Sequence, residues 1–63
     1  MLAKDYIYEI IKYGQLAITS LDKEELTVVD IQKALGCLDS VQHELLAAQI
    51  LLREEYKERR NNE

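Results

Sequence analysis

Four side chains near the middle of the chain are of types that bind metals or carry out acid–base chemistry. Asp39 and His43 are four residues apart and share a face if this segment is helical, and Cys37 and Glu44 are further ligand types close by. On the same helix, however, Cys37 and Glu44 point to different sides from that pair. A metal site built within one chain needs several converging ligands. The spacing therefore predicts no metal site, and His43 is interpreted as a surface residue.

The charged residues near the C-terminus offer no reactive arrangement either. Glu54, Glu55 and Glu58 could imitate an acidic metal-binding helix, but arginines and a lysine alternate with them. A solvated helix with ion pairs explains this pattern, and the expected pairs are Glu55 with Arg59 and Glu54 with Lys57. The sequence contains no glycine-rich phosphate loop and no pair of cysteines. We therefore predict that the protein is not an enzyme and has no catalytic residue, cofactor or metal.

The charge distribution limits the partners. The formal net charge is −4, and the acidic surplus lies entirely before Leu45, whereas the segment from Arg53 to Glu63 is balanced. Nucleic-acid binding would need a basic stripe, so a DNA-associated regulator is the least favoured alternative. The chain starts without the features of a signal peptide and has no apolar run of about 20 residues, so we expect a cytoplasmic protein that does not insert into membranes. The single cysteine agrees with a reducing compartment.

Two helical patterns predict an all-α fold in a single domain of residues 1–63. The first covers residues 3–19, residues 20–26 form a polar loop, the second covers residues 27–60, and residues 61–63 should fray. Thr27 and Asp30 resemble a capping box at the start of the second helix. A loop this short predicts an antiparallel helical hairpin with a short first helix and a long second helix, which associates into a helical bundle.

Gly36 leaves one alternative open. It could end a helix, with Asp39 or Ser40 capping a third one, which would give a three-helix bundle. The apolar pattern nevertheless keeps its phase through Leu35, Leu38 and Val41, and the chain contains no proline. An interior glycine costs only about 1 kcal/mol, so we favour the continuous helix.

Apolar residues at steps of three and four predict where the two helices meet. In the first helix they are Ala3, Tyr6, Ile7, Ile10, Gly14, Ala17 and Ile18. In the second helix they are Ile31, Ala34, Leu38, Val41, Leu45, Ala48, Leu52 and Tyr56. Gly14 within the first set is interpreted as a point of close helix approach, and Cys37 is expected at the flank of the contact.

The unequal helix lengths predict association with another chain. The first helix can shield the second only as far as about Leu45, so the segment Leu45 to Leu52, apolar on almost every side, should project beyond its own hairpin. A second copy is the economical cover, either as a homodimer or as a dimer of dimers. The predicted interface residues are Leu45, Leu46, Ala47, Ile50, Leu51, Leu52 and Tyr56, with Tyr8 and Leu16 at the rim.

These features predict a small protein–protein interaction module. We expect a regulator or inhibitor of the bacterial or phage type that acts as a homo-oligomer and binds another protein. A structural subunit whose only activity is self-assembly is the alternative, and the two differ in whether a second kind of protein is bound.

Overall fold

The computed structural model describes residues 1–62, which form two α-helices, α1 (Ala3–Leu21) and α2 (Val28–Asn62). The helices pack against each other across a short connection and therefore run antiparallel. The predicted all-α hairpin with a short and a long helix is confirmed, and because α2 passes through Gly36 without a break, the three-helix alternative is wrong. Both helices end two residues later than expected. Asn61 and Asn62 are helical where fraying was expected, and Glu63 lies outside the described residues.

Local hydrogen bonds explain where α1 begins and ends. The carboxylate of Asp5 accepts a hydrogen bond from the Leu2 N–H at 3.0 Å, which satisfies one free donor at the start of the helix. At the other end, the hydroxyls of Thr19 and Ser20 donate to backbone carbonyls one turn earlier. The Lys23 N–H then bonds to the Leu21 carbonyl at 2.9 Å, and this tight turn leads the chain away from the helix.

A capping box starts α2, as the sequence predicted. The Thr27 hydroxyl oxygen accepts a hydrogen bond from the Asp30 N–H at 3.2 Å, and the Asp30 carboxylate accepts one from the Thr27 N–H at 3.0 Å. Each side chain thus satisfies a backbone donor of the other residue. The start of the long helix is therefore fixed by two residues close together in sequence.

Buried alanines and half-buried larger residues form the contact between the helices, which we call the seam. Its α2 row comprises Asp30, Ala34, Cys37, Val41, Glu44 and Ala48, all buried or half-buried. Its α1 row comprises Ala3, Tyr6, Ile10, Tyr13, Ala17 and Ser20. The only buried apolar residues of the described chain are Ala17, Ala34 and Ala48, at 6%, 4% and 3% exposure. The hairpin therefore buries no large apolar side chain.

The predicted contact residues are only partly those of the seam. Of the α2 set, Ala34, Val41 and Ala48 face α1, whereas Ile31, Leu38, Leu45, Leu52 and Tyr56 are exposed. Ile7 and Ile18 of the α1 set are exposed as well. The physical reason is that α2 turns Ala34 and Ala48 towards α1, so its larger side chains are displaced to the flank.

Two further expectations about the seam are wrong. Cys37 lies in the seam and is half-buried, although the sequence suggested the flank. Gly14 is not a point of close approach within the hairpin, because a Cβ atom added there would meet nothing within 4 Å. The seam is therefore held together by alanine and by half-buried larger residues.

The hairpin is elongated and α2 extends far beyond α1. The principal extents are 55 × 15 × 14 Å, and the radius of gyration is 15.8 Å, against about 11 Å for a compact domain of this length. α1 covers α2 as far as Ala48, three residues beyond the predicted limit, and every residue from Gln49 to Asn61 is exposed. The projecting segment that the sequence predicted is present, but it starts later.

Candidate interaction surface

One side of the hairpin carries a continuous set of large apolar side chains, which we call the apolar face. From α1 it comprises Ile7, Ile11 and Ile18, and from α2 it comprises Ile31, Leu35, Leu38, Leu45 and Leu52. Each of them is 44–63% exposed. Isolated surface leucines are normal on soluble proteins, whereas these eight residues form one continuous apolar patch.

Helix geometry places the residues of both helices on the same side. With the exception of Leu52, which lies beyond the end of the seam, each follows a seam residue by one position: Ile7 follows Tyr6, and Leu38 follows Cys37. One position is a rotation of about 100°. In an antiparallel pair this rotation turns both helices towards the same face, so the isoleucines of α1 and the leucines of α2 are neighbours.

Charge is distributed unevenly between the two sides. Among positions that follow the seam by one residue, Lys4 alone is charged in the described chain, whereas Asp5, Glu9, Lys12 and Lys33 precede seam residues and lie on the opposite side. The apolar face therefore lacks the charges that oppose burial, since an unpaired buried charge is costly.

A second apolar cluster lies at the projecting end of α2, on a different side. It comprises Leu46, Ala47, Ile50 and Leu51, and we call it the distal patch. Ile50 is 61% exposed, and Ala47 is half-buried. The structure thus divides the predicted interface residues of α2: Leu45 and Leu52 belong to the apolar face, with Tyr56 one turn beyond it, whereas the other four form the distal patch.

Tyr8 and Leu16, the predicted rim residues, do not join the apolar face. Leu16 precedes the seam residue Ala17 and lies on the charged side, and Tyr8 points away from α2. Both are exposed. Neither residue adjoins the distal patch in sequence or along the hairpin, so the predicted set does not form one surface.

The most polar buried group is Asp30, at the loop end of the seam. The Lys23 ammonium donates a hydrogen bond to its Oδ1 at 2.6 Å, while the Thr27 backbone N–H and hydroxyl donate to Oδ2 at 3.0 and 2.9 Å. These hydrogen bonds, the one from Lys23 first, stabilise the carboxylate and lower the pKa of Asp30 from 3.8 to about 2. The group holds the loop against α2, and all its hydrogen bonds are internal.

The residues first considered for chemistry do not converge. Cys37 and Glu44 lie in the seam, whereas Asp39 and His43 are exposed on the outer surface of α2. No group of three or more histidine, cysteine or acidic side chains among residues 1–62 is arranged to hold a metal ion. These side chains therefore lie on different sides of α2 and do not form one site.

The charged segment at the end of α2 forms one of its two expected ion pairs. Arg59 donates two hydrogen bonds to Oε1 of Glu55, at 3.3 Å from Nε and 3.0 Å from Nη2. Glu54 and Lys57 form no ion pair within the part of the chain that the structure describes. The segment is a solvated helix.

Sequence reasoning missed the contribution of α1 to the apolar face, and it missed Ile31, Leu35 and Leu38 as interface candidates. One signal could have found the α2 part: Ile31, Leu38, Leu45 and Leu52 recur every seven residues. Apolar residues with that spacing stay on one side of a helix over its whole length, as on the packing side of coiled-coil helices. The small residues Ala34 and Ala48 marked the seam beside it.

Neither helix of the described chain combines the length and apolarity needed to cross a membrane. Comparisons of the chain with protein family models, with curated proteins and with solved structures found no match.

Proposed function

We propose that the protein is a small, non-enzymatic protein–protein interaction module that acts as a homo-oligomer and regulates or inhibits another protein by binding it. The observation that carries this proposal is the pairing of an alanine-only core with two separate exposed apolar surfaces. A chain that buries so little needs an external surface to cover its apolar side chains.

Two surfaces on different sides support two kinds of contact. The apolar face runs along the hairpin and suits self-association, whereas the distal patch lies on another side of α2, with Ile50 and Leu51 beyond the end of α1. A helix of another protein packing along α2 would meet Leu46 and Ile50, which are four residues apart on one side. We therefore assign the second protein to the distal patch. The proposal includes a regulator of bacterial or phage type, which the small size and acidity of the chain support, in the cytoplasm, with which the free Cys37 agrees.

A photo-crosslinking residue in place of Ile50 tests this function in cells of the native host. We expect a covalent adduct with a second protein. Its mass should not be a multiple of the 7.3 kDa chain, so that linking between copies of the chain does not explain it. The same probe at Gln32, exposed on the same side of α2 but outside the distal patch, is the matched control and should give no such adduct. Leu46→Glu should abolish the adduct from position 50.

A structural self-assembly subunit is the second candidate, favoured by the even spacing of apolar residues along α2. In that case the Ile50 probe gives no adduct with a second kind of protein, and any adduct joins copies of the chain. That result would contradict a regulatory role.

A further inference from the structure

We propose that the apolar face is the site where a second copy of the chain binds, with the two hairpins face to face and their α2 helices antiparallel. This inference rests on the self-association part of the proposed function and does not depend on any other protein. The sequence pattern left the arrangement open, and its predicted interface residues of α2 are divided between the apolar face and the distal patch.

The exposed area matches what a stable dimer needs. The chain exposes 5414 Å², whereas a compact monomer of 7.3 kDa exposes about 4,200 Å². The excess is about 1,200 Å² per copy, and a standard interface buries about 800 Å² on each partner. One copy thus has enough surplus surface for a full interface.

The chemistry of the apolar face suits a copy of itself. Between Ile31 and Tyr56, the α2 residues on this side are apolar except for Gln42, Gln49 and, at its edge, Arg53, which has the same angular position as Leu35. Two identical faces can therefore meet without placing like charges opposite each other, although each chain is acidic. The charged side of the hairpin remains in water.

The seven-residue row of α2 can pair with itself in reverse order. When two α2 helices run antiparallel with their two-fold axis beside Val41 and Gln42, Leu38 meets the partner's Leu45, and Ile31 meets the partner's Leu52. The four positions form two kinds of pair, each occurring twice, as an isologous interface requires. No residue of the row is left unpaired.

The α1 helices agree with this axis. Ile7 and Gln42 are each 14 residues from the loop end of their helix, so they lie at the same level of the hairpin. Ile7 therefore lies beside the axis, next to the partner's Ile7, and Ile11 lies one turn nearer the loop end. An apolar residue of α1 is thus present at the level of the axis.

The projecting end of α2 decides between antiparallel and parallel hairpins. In a parallel dimer, α2 would lie on the partner's α1, which ends at the level of Ala48 and leaves Leu52 exposed. In the antiparallel dimer, the loop end of the partner's α2 covers Leu52. The second arrangement buries the whole row.

Sedimentation equilibrium of three chains tests the surface. We expect the parent to be a dimer at micromolar concentration and Leu38→Glu to raise the dimer dissociation constant at least 100-fold, because the charge is introduced twice at the two-fold interface. Ile50→Glu on the other side of α2 is the matched control and should keep the parental mass. A monomeric parent overturns the proposal, as does a dimer that is broken by Ile50→Glu and not by Leu38→Glu.

Cysteine crosslinking of the folded parent dimer tests the arrangement without a disruptive substitution. In a Cys37→Ala background, Gln42→Cys should link to itself with a short bismaleimide reagent, whereas Tyr56→Cys should not. Self-linking at both positions would establish parallel hairpins and overturn the antiparallel assignment. If the chain dimerises through this face but the Ile50 probe gives no adduct with a second protein in the host, only the regulatory function is contradicted. If the chain is a monomer but the Ile50 probe still gives that adduct, only this inference is contradicted.

Discussion

Asp30 is the residue with the largest influence on the loop, because its carboxylate accepts hydrogen bonds from Lys23 and from Thr27. Its pKa falls to about 2 in the folded chain, below the ordinary 3.8. A lowered folded pKa means that the unfolded chain binds protons first as the pH decreases. The stabilisation is therefore complete above about pH 4 and is lost as the pH falls towards 2.

The first prediction concerns this titration. Asp30→Asn should lower the free energy of unfolding at pH 7 and flatten its dependence between pH 4 and pH 2. Urea unfolding at a series of pH values measures both effects. Asp39→Asn, which removes an exposed carboxylate on the outer side of α2, should retain the parental acid profile. An unchanged profile in Asp30→Asn would show that other carboxylates dominate acid unfolding.

Gly36 allows a second prediction at the residue scale. It lies inside α2, and an added Cβ atom meets nothing within 4 Å. Gly36→Ala should therefore stabilise the protein by about 0.5–1 kcal/mol through helix propensity, which corresponds to a rise of about 2–8 °C in Tm. Thermal denaturation followed by circular dichroism measures the change.

Gly14→Ala is the comparison. An added Cβ atom at Gly14 also meets nothing within 4 Å in one hairpin, but Gly14 lies on the same side of the hairpin as the apolar face. A gain smaller than that of Gly36→Ala would indicate that a second copy approaches closely there. A loss of stability in Gly36→Ala itself would show that α2 is contacted on its charged side.

At the scale of the helix, sequence reasoning identified both elements and their order. The capping residues Thr27 and Asp30 are local signals, and the continuous apolar pattern outweighed Gly36, so the hairpin could be predicted. The rotation of each helix about its own axis could not be predicted from the sequence. Ala34 and Leu38 both fit a helix contact by spacing, and only the fit of α1 against α2 decides that alanine turns inward and leucine outward.

The seam gives the third prediction. Ala34 is 4% exposed between the two helices, so Ala34→Leu must separate them or adopt a strained rotamer. We expect destabilisation of about 1–3 kcal/mol, measured by urea unfolding at a fixed protein concentration. Gln32→Leu, which adds an apolar side chain at an exposed position of the same helix, should change stability by less than about 0.5 kcal/mol. Equal effects of both substitutions would refute a tightly packed seam.

At the scale of the whole molecule, the hairpin resembles half of a helical bundle more than a finished domain. Its buried apolar residues are three alanines, while leucine and isoleucine side chains remain half-exposed along its length. Small domains have only about 5–15 kcal/mol of stability in total. The apolar face is therefore the main reserve of hydrophobic stabilisation, and association makes it available.

The fourth prediction follows for thermal unfolding. If folding and dimerisation are coupled, Tm depends on protein concentration, and a 100-fold increase should raise it by about 10 °C for a dimer of this size. Differential scanning calorimetry across that concentration range provides the measurement, and Leu38→Glu should remove the dependence. A concentration-independent Tm in the parent would mean that a single hairpin folds without a partner.

The alanine seam also has a consequence for the amount of folded protein in the cell. If folding requires the proposed dimer, the chain is mostly unfolded when few copies exist, and at such levels the amount of folded protein rises with the square of the amount synthesised. Unassembled chains are open to proteolysis, which removes them continuously. In that case low-level expression yields almost no folded protein, a burst of synthesis yields a disproportionate amount, and the response to a promoter becomes steeper without any additional regulator.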